Sequence, residues 1–286
     1  MFGVAVTWLL AFGLGRLAPD FAADRPDGLG YFAGALFVLF GFGTWVTSVL
    51  NWKHWPWPQL GLRQPLSGLC ELAVIAVPTI ALYLLLGLPS FSASSTNAVM
   101  SGDTVLGWFY SIVVVVILTG QLLDNWPWRL AGGDQHPGRV ALVATIGNAV
   151  AGTLLYFVMI PVAKILIGST AATELGSAIT QFPAQLGVCW VFWMILWANA
   201  FGNRATKYGD ATNFLVRTLL TLALGVATFI GYYFFAAQHI LHEPVVAASL
   251  HGNALGFLDW AILWTLLYVV GFQSYGLNKL SPNVDE

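Results

Sequence analysis

Residues 105–129 read VLGWFYSIVVVVILTGQLLDNWPWR. No charged side chain falls between Asp103 and Asp124, and the run then closes on an acid, an amide and a Trp-Pro-Trp-Arg string. About 20 apolar residues at 1.5 Å of rise each span the ~30 Å hydrocarbon core of a bilayer, and a helix leaves no backbone polar group unpaired there. The stretch therefore predicts a membrane-spanning helix that ends among lipid headgroups. A sister string, NWKHWPWPQL at 51–60, follows the preceding apolar run.

The composition extends that reading to the whole chain. Of 286 residues, 58% are hydrophobic and only 8% charged, against roughly 25% charged in soluble domains. Such a chain cannot cover its surface with polar groups in water, so its solvent is mostly lipid. The formal net charge of −2 offers no basic surface for nucleic acid or for an anionic-lipid patch. Cys70 and Cys189 both lie in or beside apolar runs, as packing thiols do.

Apolar runs of membrane length occur near 1–18, 29–52, 66–88, 104–124, 140–168, 184–202, 214–238 and 256–275. They predict an all-α integral membrane protein of eight transmembrane helices in a single polytopic domain, 1–286. No alternating strand pattern of a transmembrane barrel is present. The first run lacks the basic flank of a signal peptide and reads as a retained, short helix. Lys53, Arg63, Arg129, Arg139, Arg204, Lys207, Arg217 and Lys279 fall on the even-loop side, whereas only Arg16 and Arg25 fall on the other. Positive charge stays inside, so both termini are expected in the cytoplasm, of a bacterial inner membrane.

Asn51 and Asn125 stand 74 residues apart, and the same step leads on to Asn199 and Gln273. Thr79 and Thr153 keep the step, Thr228 follows one residue late, and each has a tyrosine three or four residues on (Tyr83, Tyr156, Tyr232). Trp190 and Trp264 keep it too. These coincidences predict four tandem two-helix hairpins of about 74 residues, near 1–57, 58–131, 132–205 and 206–286. The Trp-Pro strings then mark helix exits: indoles sit at headgroup level, proline stops the helix, and Lys53 or Arg129 meets phosphate. The alternative is that Trp55, Trp57, Trp126 and Trp128 dock a soluble partner.

Polar groups inside the membrane are the first candidates for function. Lys164 lies near the outer end of its helix, where it either snorkels outward or neutralises an anionic group. Asn148, Thr79, Thr153, Thr228 and Tyr232 lie within spans and would line a path for a neutral ligand, or else glue neighbouring helices. Glu71, Asp124 and Asp259 sit near helix ends, so no acid marks mid-span. In the last outer loop His239, His242, Glu243 and His251 form a His-rich group suited to zinc, copper or iron, with Asp20 or Asp24 as added donors. Their spacing matches no tight metal signature, and surface histidines account for the same string.

There is no phosphate-binding loop, dinucleotide fingerprint or haem-attachment motif. Two functions stay open. One is a permease- or channel-like protein handling a small neutral or amphipathic solute. The other is a membrane subunit of a larger, oxidoreductase-type complex with a metal at the His-rich extracytoplasmic loop. Membrane lipid and either a small-molecule ligand or partner subunits are the expected partners.

Overall fold

The computed structural model describes residues 29–91, 98–204 and 206–266. The expected first helix, Arg16, Asp20, Asp24 and Arg25, and the C-terminal Gln273 and Lys279 lie outside the described residues. Each remaining apolar run coincides with a helix. With a short α5 (Ser169–Leu175) that matches none of the runs, the helices are α1 (Leu29–Leu50), α2 (Leu66–Leu82), α3 (Gly102–Ile117), α4 (Pro137–Ile167), α6 (Phe182–Ala200), α7 (Asp210–Gly231) and α8 (Ala254–Leu266).

Three of them run on through a π-turn: α2 through Tyr83–Gly87, α3 through Leu118–Leu122, and α7 through Tyr232–Ala236. Between α7 and α8 a small antiparallel hairpin forms, β1 (Val245–Ala247) and β2 (Leu250–His251). Local signals set the boundaries. The Ser101 hydroxyl caps α3 by accepting the Thr104 N–H at 3.3 Å, and Pro137 and Pro183 open α4 and α6, where no N–H is needed.

Five helical stretches are long and apolar enough to cross a membrane: Leu66–Ser90, Gly102–Leu122, Pro137–Ile167, Ser169–Ala200 and Asp210–His239. The chain is thus an α-helical multi-pass membrane protein. In the α3 and α6 stretches 72% of the apolar window is buried, against 6% for α2 and 17% for α7. Accordingly α3 and α6 pack on each other at the centre, with α1 against α3 and α8 against α6. α2, α4 and α7 lean on this row from outside and leave Leu72, Val77, Leu154, Phe157, Leu219 and Phe235 exposed. Exposed leucine and phenylalanine cost nothing where the solvent is hydrocarbon.

Lipid tails give helices no hydrophobic reason to associate, so close packing and hydrogen bonds must hold them. At Gly152 in α4 an added Cβ would lie 2.4 Å from the Ile112 Cα of α3, and at Gly225 in α7 it would lie 2.8 Å from the Trp190 Cα of α6. Glycine is what lets these backbones touch. One hydroxyl device then recurs in three pairs. Thr79, Thr153 and Thr228 each donate to their own helix, to Ile75, Ala149 and Leu224 carbonyls. Each also meets the neighbouring helix: Thr44 Oγ1 lies 3.0 Å from Thr79, Trp108 Nε1 donates to Thr153 at 2.9 Å, and Trp193 Nε1 donates to Thr228 at 2.7 Å.

The helix ends on the Trp-Pro side share a further construction. The N–H groups of His54, Asn125 and Asn203 reach back six residues to the carbonyls of Ser48, Thr119 and Trp197. Two successive left-handed residues make each turn: Lys53 and His54, Asp124 and Asn125, Gly202 and Asn203. These caps recur at steps of 71 and 78 residues rather than 74. Asn51 and Asn125, which the 74-residue step aligns, are instead direct hydrogen-bond partners.

Candidate functional site

Apolar helices isolate a polar cluster at the Trp-Pro side. Asn51 ends α1, Thr119 lies in the π-turn of α3, Asn125 follows that turn, and Asn148 lies inside α4; all four are at most 4% exposed. Asn51 Nδ2 donates to Asn125 Oδ1 at 2.8 Å and to Thr119 Oγ1 at 3.3 Å. Asn125 Nδ2 returns a bond to the Asn51 carbonyl at 2.9 Å, and Asn148 Nδ2 donates to Asn51 Oδ1 at 3.0 Å. The Trp128 indole closes the group by donating to Asn148 Oδ1 at 2.9 Å. An amide buried without partners costs roughly 2–7 kcal/mol, so these side chains are tolerable here only because they satisfy one another.

The π-turn is what opens this end of α3. Leu123 N–H bonds five residues back to Leu118, and the Gln121 and Leu122 carbonyls are left to side chains from elsewhere. Asn203 Nδ2 donates to the first at 2.8 Å and an Arg217 guanidinium nitrogen to the second at 3.2 Å. The α3 end thereby binds the α6–α7 connection and α7 itself.

Above the amide cluster opens a cavity of about 200 Å³, lined by Asn51, Trp52, Lys53, Asn125, Arg129 and Asp134 among others. Its charges are matched. Lys53 lies 3.8 Å from Asp134, and Arg129 bridges Asp124 and Asp210. A second cavity of about 360 Å³ lies on the other side of the 51–61 loop, lined by His54, Trp57, Gln64, Ser67 and Glu71, and Pro58 borders both. In it His54 Nδ1 stands 2.9 Å from both carboxylate oxygens of Glu71, and Ser48 Oγ donates to Glu71 Oε1 at 2.9 Å.

The other sequence candidates are dispersed. Asn148 belongs to the cluster just described. Thr79, Thr153 and Thr228 face the helix beside them in the three seams and do not gather round a common space. Lys164 is exposed, one turn from the end of α4, and among the described residues its ammonium has no partner.

Tyr232 lies at the opposite membrane side, its hydroxyl donating to Glu243 Oε2 at 2.8 Å. The same oxygen accepts the Asn253 N–H at 3.0 Å, while His251 Nδ1 lies 2.7 Å from the Glu243 carbonyl oxygen. His239 tilts against the Phe235 ring, and His242 takes a left-handed backbone at the turn. Among the described residues no three His, Cys, Asp or Glu side chains come together as metal ligands. What holds His251 and Glu243 is this turn, through hydrogen bonds to its own backbone and to Tyr232.

The Trp-Pro strings serve packing against α4. Trp52 Nε1 donates to Thr145 of α4 at 2.9 Å, Trp55 lies over Gly138, and Trp128 over Gly147. Sequence reasoning missed the pairing of His54 with Glu71 and the place of Thr119 in the cluster. The signal for the first was a histidine in a loop followed, one turn into the next helix, by the acid of an otherwise apolar run. Thr119 gave none, since a threonine near a helix end is ordinary. Compared with protein-family models, with characterised proteins and with solved structures, the chain matches none.

Proposed function

We propose that this chain is a permease- or channel-like membrane protein for a small neutral or amphipathic solute, and that the Asn51–Asn125–Asn148 cluster is the polar end of its path. The observation that carries the reading is an uncharged amide cluster, buried among apolar helices, at the floor of a cavity whose rim charges are paired off. Amides offer donors and acceptors without a field, which suits a neutral guest and disfavours an ion. Eight spans in four hairpins, the Trp-Pro loops and both termini in the cytoplasm, and a bacterial inner membrane complete the reading.

Proteoliposomes test it. Under an osmotic gradient of glycerol, urea or acetamide, vesicles carrying the protein should equilibrate faster than empty ones for at least one solute. Asn125→Leu should abolish the difference while circular dichroism stays helical. Rates equal to those of empty vesicles for all three would count against the reading.

The second reading, a membrane subunit of a larger, metal-containing oxidoreductase-type complex with a His-rich extracytoplasmic loop around His239, His242 and His251, draws on α2. Only 6% of its apolar window is buried, so a neighbouring subunit has a whole helix face to cover. Metal analysis of the purified protein, with and without His239→Ala and His251→Ala, separates this reading from the first.

A further inference from the structure

His54 and Glu71 stand apart from the amide cluster, and the path just proposed does not use them. Their placement is specific. The His54 N–H caps α1 on the Ser48 carbonyl, while its ring reaches across to α2 and sets Nδ1 2.9 Å from both oxygens of Glu71. Glu71 is the only acid in α2, and its side chain is 16% exposed against 50% for His54. Ser48, itself 1% exposed, holds the same carboxylate from α1. One carboxylate thus ties together α1, α2 and the 51–64 connection that walls both cavities.

We propose that His54 and Glu71 form a proton-binding latch on this connection, closed when the imidazole carries a proton and loosened when it does not. Imidazole is the ordinary side chain that changes charge between about pH 5 and 8. Protonated, it forms an ion pair with a shielded carboxylate; once the proton departs, that attraction is lost and a bond from a neutral ring to the carboxylate is all that is left. Loss of that proton leaves the carboxylate with one hydroxyl and a neutral ring, and the loop is held less firmly.

The neighbouring groups do not duplicate this. On the loop itself Lys53 is engaged by Asp134 and Arg63 lies at the far end. α1 brings only the uncharged Ser48 and Asn51. The turn before α4 and its first residues bring Asp134, His136 and Arg139, with His136 packed over Gly132. His136 is therefore the other imidazole nearby, and the test must tell it from His54.

A nitroxide on Leu60→Cys, a loop position 62% exposed, reports the latch in the full chain in lipid bilayers. Cys70→Ser removes the accessible thiol, and Cys189 is fully buried. Raising the pH from about 5 to about 8 should increase the mobile-to-immobile ratio of the label by up to about five-fold. His54→Gln and Glu71→Gln should each abolish that response, while Lys53→Gln and His136→Gln keep it. Identical spectra across the range, or a response that survives in a correctly folded His54→Gln, would overturn the proposal. The readout is loop motion, so it stands or falls separately from any solute measurement.

Discussion

Asn51 and Asn125 grip each other twice: the side-chain amide of the first donates to the side-chain oxygen of the second, and the amide of the second donates to the backbone carbonyl of the first. Both lie in apolar surroundings, 1% and 3% exposed. Asn125→Ala should therefore destabilise by about 1–4 kcal/mol, since it leaves the Asn51 carbonyl unpaired, at roughly 1–3 kcal/mol, and the Asn51 side-chain amide with the longer bond to Thr119 alone. Asn51→Ala should cost a similar amount, and the double variant should cost clearly less than the sum. Unfolding in mixed micelles, followed by circular dichroism, measures all three.

Glycine positions should divide sharply. Gly152→Val places side-chain carbon against the Ile112 backbone and should prevent α3 and α4 from closing, read as loss of the folded monomer in detergent. Gly231→Ala has nothing within 4 Å of the new Cβ and a helical backbone with φ −58°. It should be neutral or stabilise by up to about 1 kcal/mol.

The indole–threonine seams are expected to contribute modestly. A double-mutant cycle on Trp193→Phe and Thr228→Val should give a coupling of about 0.6 kcal/mol, the average for hydrogen bonds within membranes. A coupling near zero would mean that packing alone holds α6 to α7.

Orientation is open to direct labelling. In a background lacking Cys70 and Cys189, a membrane-impermeant thiol reagent applied outside should label Val245→Cys, which is 59% exposed, but not Leu130→Cys, which is 74% exposed. The reverse pattern would invert the proposed topology.

The helices were readable from sequence because the signal is massive. A run such as 105–123 has no other stable form in lipid, and Ser101, Pro137 and Pro183 are start signals for α3, α4 and α6. Which helices lie inside was not readable. α2 and α3 have similar apolarity, and only glycine contacts and hydroxyl seams decide which is enclosed. Regular spacing suggested that Asn51 and Asn125 occupy equivalent positions, yet a long-range contact and an equivalence look alike along the chain. For the same reason Glu71 read as a helix-end acid and nothing more, because its partner arrives from a loop with its own backbone geometry.

α4 runs unbroken from Pro137 to Ile167, and 31 residues at 1.5 Å each make a rod of about 46 Å, well beyond the ~30 Å hydrocarbon layer. Its neighbour α3 with its π-turn covers 21 residues. Two packed rods of such different length cannot both match one bilayer: the longer must tilt across the shorter, or lipid chains must stretch beside it. Thickness of the host membrane thus becomes a variable that this protein feels through one helix. Long-chain lipids should suit α4 and short-chain lipids α3, so the stability of the α3–α4 pair should rise and fall with acyl-chain length.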